Sequence, residues 1–172
     1  MKVINFFGGP GSGKSTAAAG LFYLLKKKKY NVELVTEYAK DLVYGEDTHA
    51  LSQQNYVFAN QEYRLSRLVG KVDIAITDSP LILATFYTKD TYPKSFDQLC
   101  LDLFNGYDNE NFFVSRNHIY SQSGRVHNEK EAKALDNRMW DFLFSKKIPF
   151  REVTAGDDVP ENVFEMIKNI LK

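Results

Sequence analysis

The sequence predicts an α/β fold in three layers, with a five-stranded parallel sheet between two layers of helices. Short apolar runs alternate with stretches of helical spacing, and the runs lack the in-and-out polarity of strands that have one solvated face. A glycine-rich segment joins the first apolar run to the first helical stretch. No repeat or low-complexity linker divides the chain, so we expect a single domain over residues 1–172.

The elements near the start of the chain have the clearest patterns. Lys2–Phe7 is a β-branched and aromatic run that stops at glycine, which is typical of a buried strand. Lys14–Lys29 has apolar residues on one helical face and ends in lysines, whose charge suits the negative end of the helix dipole. Val32–Thr36 is the second predicted strand. The remaining predicted elements are helices up to about Tyr44 and over Thr48–Val69, Leu81–Tyr87, Lys94–Phe104, Glu129–Phe144 and Pro160–Leu171, and strands over Asp73–Asp78, Asn111–Ser115 and Pro149–Thr154.

Charge and composition argue against several classes of protein. The 22 basic residues balance the 22 acidic residues, which disfavours a protein that holds nucleic acid mainly through a basic face. The single cysteine, Cys100, has no internal partner for a disulfide, as is common in a reducing cytosol. The chain shows neither a signal-peptide pattern nor an apolar run of the ~18–20 residues that a membrane span needs. We therefore expect a cytoplasmic protein.

The segment Gly8–Ser15 matches the phosphate-binding pattern G-x-x-x-x-G-K-[ST] and lies between a predicted strand and a predicted helix, as that loop should. Glycines and a proline let the backbone turn tightly, so that several N–H groups point at a phosphate, and the helix adds the positive end of its dipole. Lys14 would reach the β- and γ-phosphates, and the Ser15 hydroxyl would bind Mg²⁺. The residues predicted to bind the nucleotide are Gly9, Gly11, Ser12, Gly13, Lys14, Ser15 and Thr16.

Acidic residues follow the second and third predicted strands. Ligands of open parallel sheets bind outside the carboxyl ends of the strands, so Glu37 and Asp78 should lie at the edge that holds the phosphates. Asp78 is a candidate Mg²⁺ ligand beside Ser15, directly or through water, and it is also placed to cap the next helix. Glu37 is a candidate to accept a proton or a hydrogen bond from an acceptor hydroxyl; alternatively, it is simply a first-turn acid of a helix.

A polar segment with two arginines, Arg116–His127, separates the fourth strand from the next helix. At the phosphate edge such a segment would form a lid over about 116–128 that closes on the ligand and excludes water. Arg125, together with Arg116, would then stabilise charge on the transferring phosphoryl group. An ordinary solvated loop is the alternative. The histidines lack partners at metal-ligand spacing, so we predict no zinc site.

The stretch Thr48–Val69 is the candidate for acceptor binding, with Thr48 as its N-cap and Gly70 after its end. It mixes amide side chains with aromatic rings, which suits hydrogen bonding to and stacking on a nucleobase, although core packing also explains most of these residues. Gln61 and Arg64 lie three residues apart on one helical face. We predict that these two contact the acceptor.

Taken together, these motifs resemble P-loop nucleoside and nucleotide kinases. The segments that carry the resemblance, in the order seen in those enzymes, are Gly8–Thr16, Glu37–Lys40, Asp78–Pro80 and Arg116–Arg125. The chain is most similar to the small AAA-type ATP-binding proteins of phages and bacteria, a group that resembles the nicotinamide riboside kinase domain. The likeness spans most of the chain.

The resemblance implies the strand order 2-3-1-4-5, ATP with Mg²⁺ as phosphoryl donor, and an acceptor held near the second strand. It implies that Glu37 contacts the acceptor hydroxyl, that Asp78 is the third-strand acid and that Arg125 is the lid arginine. Two departures leave the acceptor open. Asp-Ser-Pro stands where deoxynucleoside kinases have Glu-Arg-Ser or Asp-Arg-Ser, and Lys40 stands where the AAA-type proteins often have arginine.

Three functions stay open at this point. The first is an ATP- and Mg²⁺-dependent kinase that transfers the γ-phosphoryl group to a hydroxyl or phosphate of a nucleoside, a nucleotide or a related small molecule. The second is a kinase that acts on a hydroxymethylated pyrimidine in DNA, as some phage relatives do; a phage-encoded protein would work in the host cytoplasm. The third is a regulatory P-loop ATPase, although the chain has little room for the extra helical domain that assembly ATPases carry.

Overall fold

A parallel sheet forms the middle layer of the molecule. The computed structural model describes residues 1–88, 92–116 and 129–171, and within them five strands form one sheet in the order β2-β3-β1-β4-β5. The strands are β1 (Lys2–Phe7), β2 (Val32–Val35), β3 (Ile74–Thr77), β4 (Asp108–Ser115) and β5 (Arg151–Thr154). All neighbouring strands are parallel. Both the fold class and the strand order agree with the prediction.

Helices connect the strands and cover the sheet. They are α1 (Lys14–Lys27), α2 (Tyr38–Tyr44), α3 (Thr48–Ser52), α4 (Gln54–Ser66), α5 (Leu83–Phe86), α6 (Lys94–Asn105), α7 (Glu129–Ser145) and α8 (Val159–Ile167). None of the helices in the described ranges is both long and apolar enough to cross a bilayer.

The strand register brings the carboxyl ends of the central strands to one edge of the sheet. Asn5 of β1 and Val35 of β2 both lie beside Thr77 of β3. On its other side β1 pairs with β4 as far as Phe7 and Phe113. Because the strands are parallel, the segments that follow β1, β2 and β3 all leave the sheet at this edge, where ligands of such sheets bind.

Side chains of β1 alternate between two apolar clusters, one on each face of the sheet. Ile4 and Phe6 pack with α1 and α8, whereas Val3 and Phe7 pack with α4, α5, α6 and α7. These side chains are completely buried, and each contributes about 1.5–3 kcal/mol through the apolar surface removed from water. Burial on both faces is the reason that the strands appear in the sequence as continuous apolar runs.

The helix predicted over Thr48–Val69 is wrong as a single element. Gln53 has a ψ of 88°, far from the helical value, and it separates α3 from α4. Helix α3 buries none of its residues, whereas α4 buries Phe58, Gln61 and Leu65. The break therefore allows α4 to direct its buried face toward the sheet, while α3 stays outside the core.

Several element boundaries also differ from the prediction, and two of them have a clear physical reason. Asp47, not Thr48, caps α3, because an Asp47 carboxylate oxygen accepts a hydrogen bond of 2.9 Å from the N–H of Ala50. Strand β4 begins at Asp108 rather than at Asn111. Its polar first residues pair with the start of β1, so backbone hydrogen bonding extends the strand beyond the apolar run that marked it in the sequence.

Cys100 lies in α6 with none of its surface exposed. Burial raises the pKa of its thiol to about 12, from an ordinary value of 9.0. An unfolded chain loses this proton near pH 9.0 whereas the folded protein keeps it, so the free energy of unfolding falls as the pH rises from about 9 toward 12. Below that range the thiol is protonated in both states and has no effect on the pH dependence.

We expect native Cys100 to react with a disulfide reagent about 100-fold more slowly than the same thiol in concentrated urea, because the reagent must wait for an opening of the core. The measurement is the release of the coloured thiolate from the reagent at mildly alkaline pH. Rapid stoichiometric reaction of the folded protein would contradict the placement of Cys100.

Candidate active site

Glycines shape the loop between β1 and α1. Gly8, Gly11 and Gly13 have φ angles of 144°, 73° and 96°, which other residues rarely adopt. At Gly8 a Cβ atom would also lie 2.4 Å from the hydroxyl oxygen of Ser12. The loop therefore needs glycine both for its dihedral angles and for space.

The amino end of α1 lacks a side-chain cap. Its N-cap residue is Gly13, which makes no side-chain hydrogen bond, and no acidic residue lies in its first turn. The first N–H groups of a helix have no partner within the helix and carry the positive end of its dipole. The adjacent Ser12 hydroxyl is fully buried and has no hydrogen-bond partner in the described part of the chain. These unsatisfied donors fit an anionic ligand such as a phosphate group.

Lys14 begins α1 and points back over the loop. Its Nζ donates to the carbonyl oxygen of Gly9 over 3.4 Å. Burial lowers the pKa of Lys14, and the carboxylates of Glu37 and Asp78 oppose this shift. A phosphate group beside the ammonium would favour its charged form further. The position and the chemistry of Lys14 therefore both suit contact with a bound phosphate.

Ser15 and Asp78, which we predict to hold Mg²⁺, are in direct contact. The Ser15 hydroxyl donates a hydrogen bond to Asp78 Oδ2. Lys40 of α2 donates to both partners, with its Nζ 2.9 Å from Ser15 Oγ and 3.2 Å from Asp78 Oδ2. A hydroxyl oxygen and a carboxylate oxygen side by side are the hard donors that Mg²⁺ takes together with substrate phosphates, so the pair fits this ion.

Glu37 lies where β2 leads into α2. It occupies the N-cap position of α2, but its carboxylate makes no capping hydrogen bond. Its Oε2 is 3.7 Å from the Lys40 Nζ, and 28% of its side chain is exposed. The carboxylate is therefore not committed to the helix as a cap, and it faces a cavity.

This cavity has a volume of about 450 Å³ and adjoins the phosphate loop at Pro10. Glu37 and Lys40 are the charged residues among those that line it. Much of the remaining wall is apolar, and it includes Val57, Phe58, Leu81, Leu83 and Leu135. A cavity of this size and polarity is typical of a binding site for a small organic molecule.

Gln61 and Arg64, the predicted acceptor contacts, both support the segment that carries Glu37. Gln61 lines the cavity, but its Oε1 accepts from the Tyr38 N–H at 2.8 Å and its Nε2 donates to the Thr36 carbonyl at 3.4 Å. Arg64 is not among the lining residues; it donates to the same carbonyl at 3.3 Å and pairs with Asp41. Direct contact of either side chain with an acceptor remains a prediction.

Arg116, predicted to contact the substrate, braces the phosphate loop in this structure. Its Nη2 donates to the Pro10 carbonyl at 2.6 Å, and its guanidinium pairs with Asp136 of α7. Asp136 in turn accepts a hydrogen bond of 2.6 Å from the Gly9 N–H. The loop is thus held from both sides by one partly buried ion pair. Arg125 and residues 117–128 of the predicted lid over about 116–128 lie outside the described residues, so their roles remain predictions.

Two residues of the site were given no role in the sequence analysis. Lys40 stands three residues after Glu37 at the start of a helix, and this spacing could have placed both on one face. Asp136 had no such signal, because it lies 127 positions from Gly9 and only the packing of α7 against the loop brings the two together.

Replacing Asp136 by Asn should destabilise the protein by about 2 kcal/mol, because Arg116 loses the charge that neutralises it in a partly buried place. Binding of ATP should also weaken, because the Gly9 N–H loses a charged acceptor and the loop is held less firmly. The measurements are urea unfolding and calorimetric titration with Mg²⁺–ATP. Asp141→Asn, on the exposed side of α7, is the matched control, and equal behaviour of the two variants would contradict the bracing role.

Comparisons with known proteins agree with this architecture. The family model described as AAA domain matches residues 3–160. Among solved structures, the protein is similar to deoxyadenosine kinase from M. mycoides, determined with the products dCMP and a flexible dCDP bound. That match has a TM-score of 0.58 and 17% sequence identity, and it covers 98% of this chain and 100% of that chain. None of the curated proteins matches the sequence. At this identity the structural match shows the fold alone, which is that of a P-loop nucleoside kinase.

Proposed function

The chain belongs to the AAA domain family, and we propose that it is an ATP-dependent kinase that phosphorylates a hydroxyl group of a nucleoside-like small molecule. One observation carries this proposal. Pro10 of the phosphate loop also lines the apolar cavity, and Glu37 and Lys40 lie in the same lining, with the Lys40 Nζ in contact with both Glu37 and Ser15. A donor phosphate and an acceptor hydroxyl bound in these two places would meet at this boundary between the loop and the cavity.

On the donor side, the loop would hold the triphosphate of ATP. The first-turn N–H groups of α1 and the Lys14 ammonium would contact the phosphate oxygens. Ser15 and Asp78 would hold Mg²⁺, which neutralises charge on the phosphates when it is bound. Arg116 and Asp136 would keep the loop in shape.

On the acceptor side, the lining of the cavity favours an uncharged molecule over a nucleoside monophosphate. In the part of the chain that the structure describes, Lys40 is the one cation of this lining, and it is already paired with Glu37 and Asp78. A second phosphate group placed here would meet the Glu37 carboxylate, and none of the described lining residues would offer it an unpaired positive charge. An apolar ring system with a hydroxyl at one end fits the wall and the boundary better.

Glu37 would orient the acceptor hydroxyl and accept its proton as the bond to phosphorus forms. Its carboxylate is free of capping contacts and lies beside Lys40 at the mouth of the cavity. In phosphoryl transfer most of the acceleration comes from positioning and from charge neutralisation. A base then adds roughly 10²-fold or more.

Transfer of a radiolabelled γ-phosphate tests the proposal across nucleosides, nucleoside monophosphates and a duplex with hydroxymethylated pyrimidines. We expect label on a nucleoside hydroxyl, and none with Lys14→Ala, which removes the ammonium from the donor site. Label on the duplex alone would contradict a small-molecule acceptor and would indicate that DNA is the substrate. Label released only as inorganic phosphate would contradict the kinase and indicate an ATPase.

Glu37→Gln should lower kcat by about 100-fold, because the amide cannot take the proton. The affinity for Mg²⁺–ATP should change by less than about threefold, because Glu37 is not among the residues proposed to hold the phosphates or the metal ion. Single-turnover kinetics and calorimetry separate the two effects. Glu161→Gln serves as the control on α8, which covers the opposite face of the sheet from the cavity. A large loss of ATP affinity with little change in kcat would assign Glu37 a structural role instead.

A further inference from the structure

We infer that Lys40 occupies the cation position between Ser15 and Asp78 while no metal is bound, and that it gives up this position to Mg²⁺ when the nucleotide arrives. Lys40 would then be a positioning residue, because its movement would couple binding of the metal ion to the arrangement of charges at the acceptor site. The inference rests on the proposed function, in which Ser15 and Asp78 hold the metal ion.

The geometry of the three side chains carries this inference. The Lys40 Nζ lies 2.9 Å from Ser15 Oγ and 3.2 Å from Asp78 Oδ2, while these two oxygen atoms contact each other directly. The ammonium thus completes a triangle with the two oxygen atoms that the metal would bind. Its contacts are those of a monovalent cation that stands in for a divalent one.

The burial of Asp78 explains why a cation has to lie beside its carboxylate. The Asp78 side chain is only 6% exposed, whereas the Lys40 side chain is 45% exposed. A buried carboxylate without a positive partner is strongly disfavoured. The long, half-exposed Lys40 side chain can supply the charge and can also withdraw through solvent.

Lys40 and Mg²⁺ compete for the two oxygen atoms. Mg²⁺ would draw on the same oxygen lone pairs that accept hydrogen bonds from the Lys40 ammonium. The two positive ions would also repel each other in a partly buried place. Binding of the metal therefore favours withdrawal of Lys40.

Glu37 provides the position to which Lys40 moves. Its Oε2 is already 3.7 Å from the Lys40 Nζ, and Lys40 follows it by three residues, in the first turn of α2. Both also line the cavity. Once displaced, the ammonium stays beside Glu37 at the boundary between donor and acceptor, where it can neutralise the phosphoryl group in transit. The cation site and the acceptor site are thereby coupled through one side chain.

Binding of Mn²⁺ in the presence of a non-hydrolysable ATP analogue tests the inference, with free Mn²⁺ followed by electron paramagnetic resonance. Lys40→Met should bind Mn²⁺ about fivefold or more tightly than the unmodified protein, because the site no longer has to be vacated. Lys40→Arg keeps the charge and should stay close to the unmodified protein. Lys71→Met removes a lysine at the opposite edge of the sheet, before β3 begins, and should change nothing.

Equal or weaker Mn²⁺ binding by Lys40→Met would overturn the inference. Lys40→Gln gives the same test with a polar replacement, and circular dichroism checks that this variant is folded. The Asp78→Asn variant distinguishes a failure of this inference from a failure of the proposed function. Loss of Mn²⁺ binding in Asp78→Asn supports the metal site that both ideas need. Undiminished binding in that variant would overturn the metal site and the role of Lys40 together.

Discussion

Asp78 keeps its carboxylate almost entirely out of water at the end of β3, and a charge in that position must be matched by a cation. Lys40 matches it from α2, and Ser15 adds a hydrogen bond from the phosphate loop. This contact ties together the segments that follow β1, β2 and β3. The loop, the acid and the helix that carries Glu37 are therefore arranged around one buried charge, and the cavity opens beside it.

The sheet makes this arrangement possible. Parallel pairing of β1 with β3 and of β3 with β2 delivers the three segments to the same edge within the spacing of neighbouring strands. The two apolar clusters above and below the sheet hold the strands in this register. On the far side of the loop, Asp136 and Arg116 hold its backbone through the Gly9 N–H and the Pro10 carbonyl. The candidate site is thus fixed by elements that are themselves packed into the core.

Much of this was predictable because the signals are local. The phosphate loop follows from glycine spacing, and its glycines do adopt dihedral angles that other residues avoid. The positions of Glu37 and Asp78 follow from their place directly after strands. The single helix over Thr48–Val69 was wrong because helical spacing continues through Gln53, while only α4 has residues that the core can bury. Gln61 and Arg64 support the backbone around Thr36. Their spacing could not predict these contacts, because it shows only that the two side chains share a helical face.

The sequence by itself determined the layered fold and the residues that form the phosphate loop, because these depend on periodicity and on short motifs. The strand order followed from the resemblance of those motifs to P-loop nucleoside and nucleotide kinases. Tertiary structure alone decided that Asp136 braces the loop, that Lys40 sits between Ser15 and Asp78, and that an apolar cavity meets the loop at Glu37. These features join residues from distant parts of the chain. Their geometry is set by how helices pack on the sheet, and no local pattern encodes that packing.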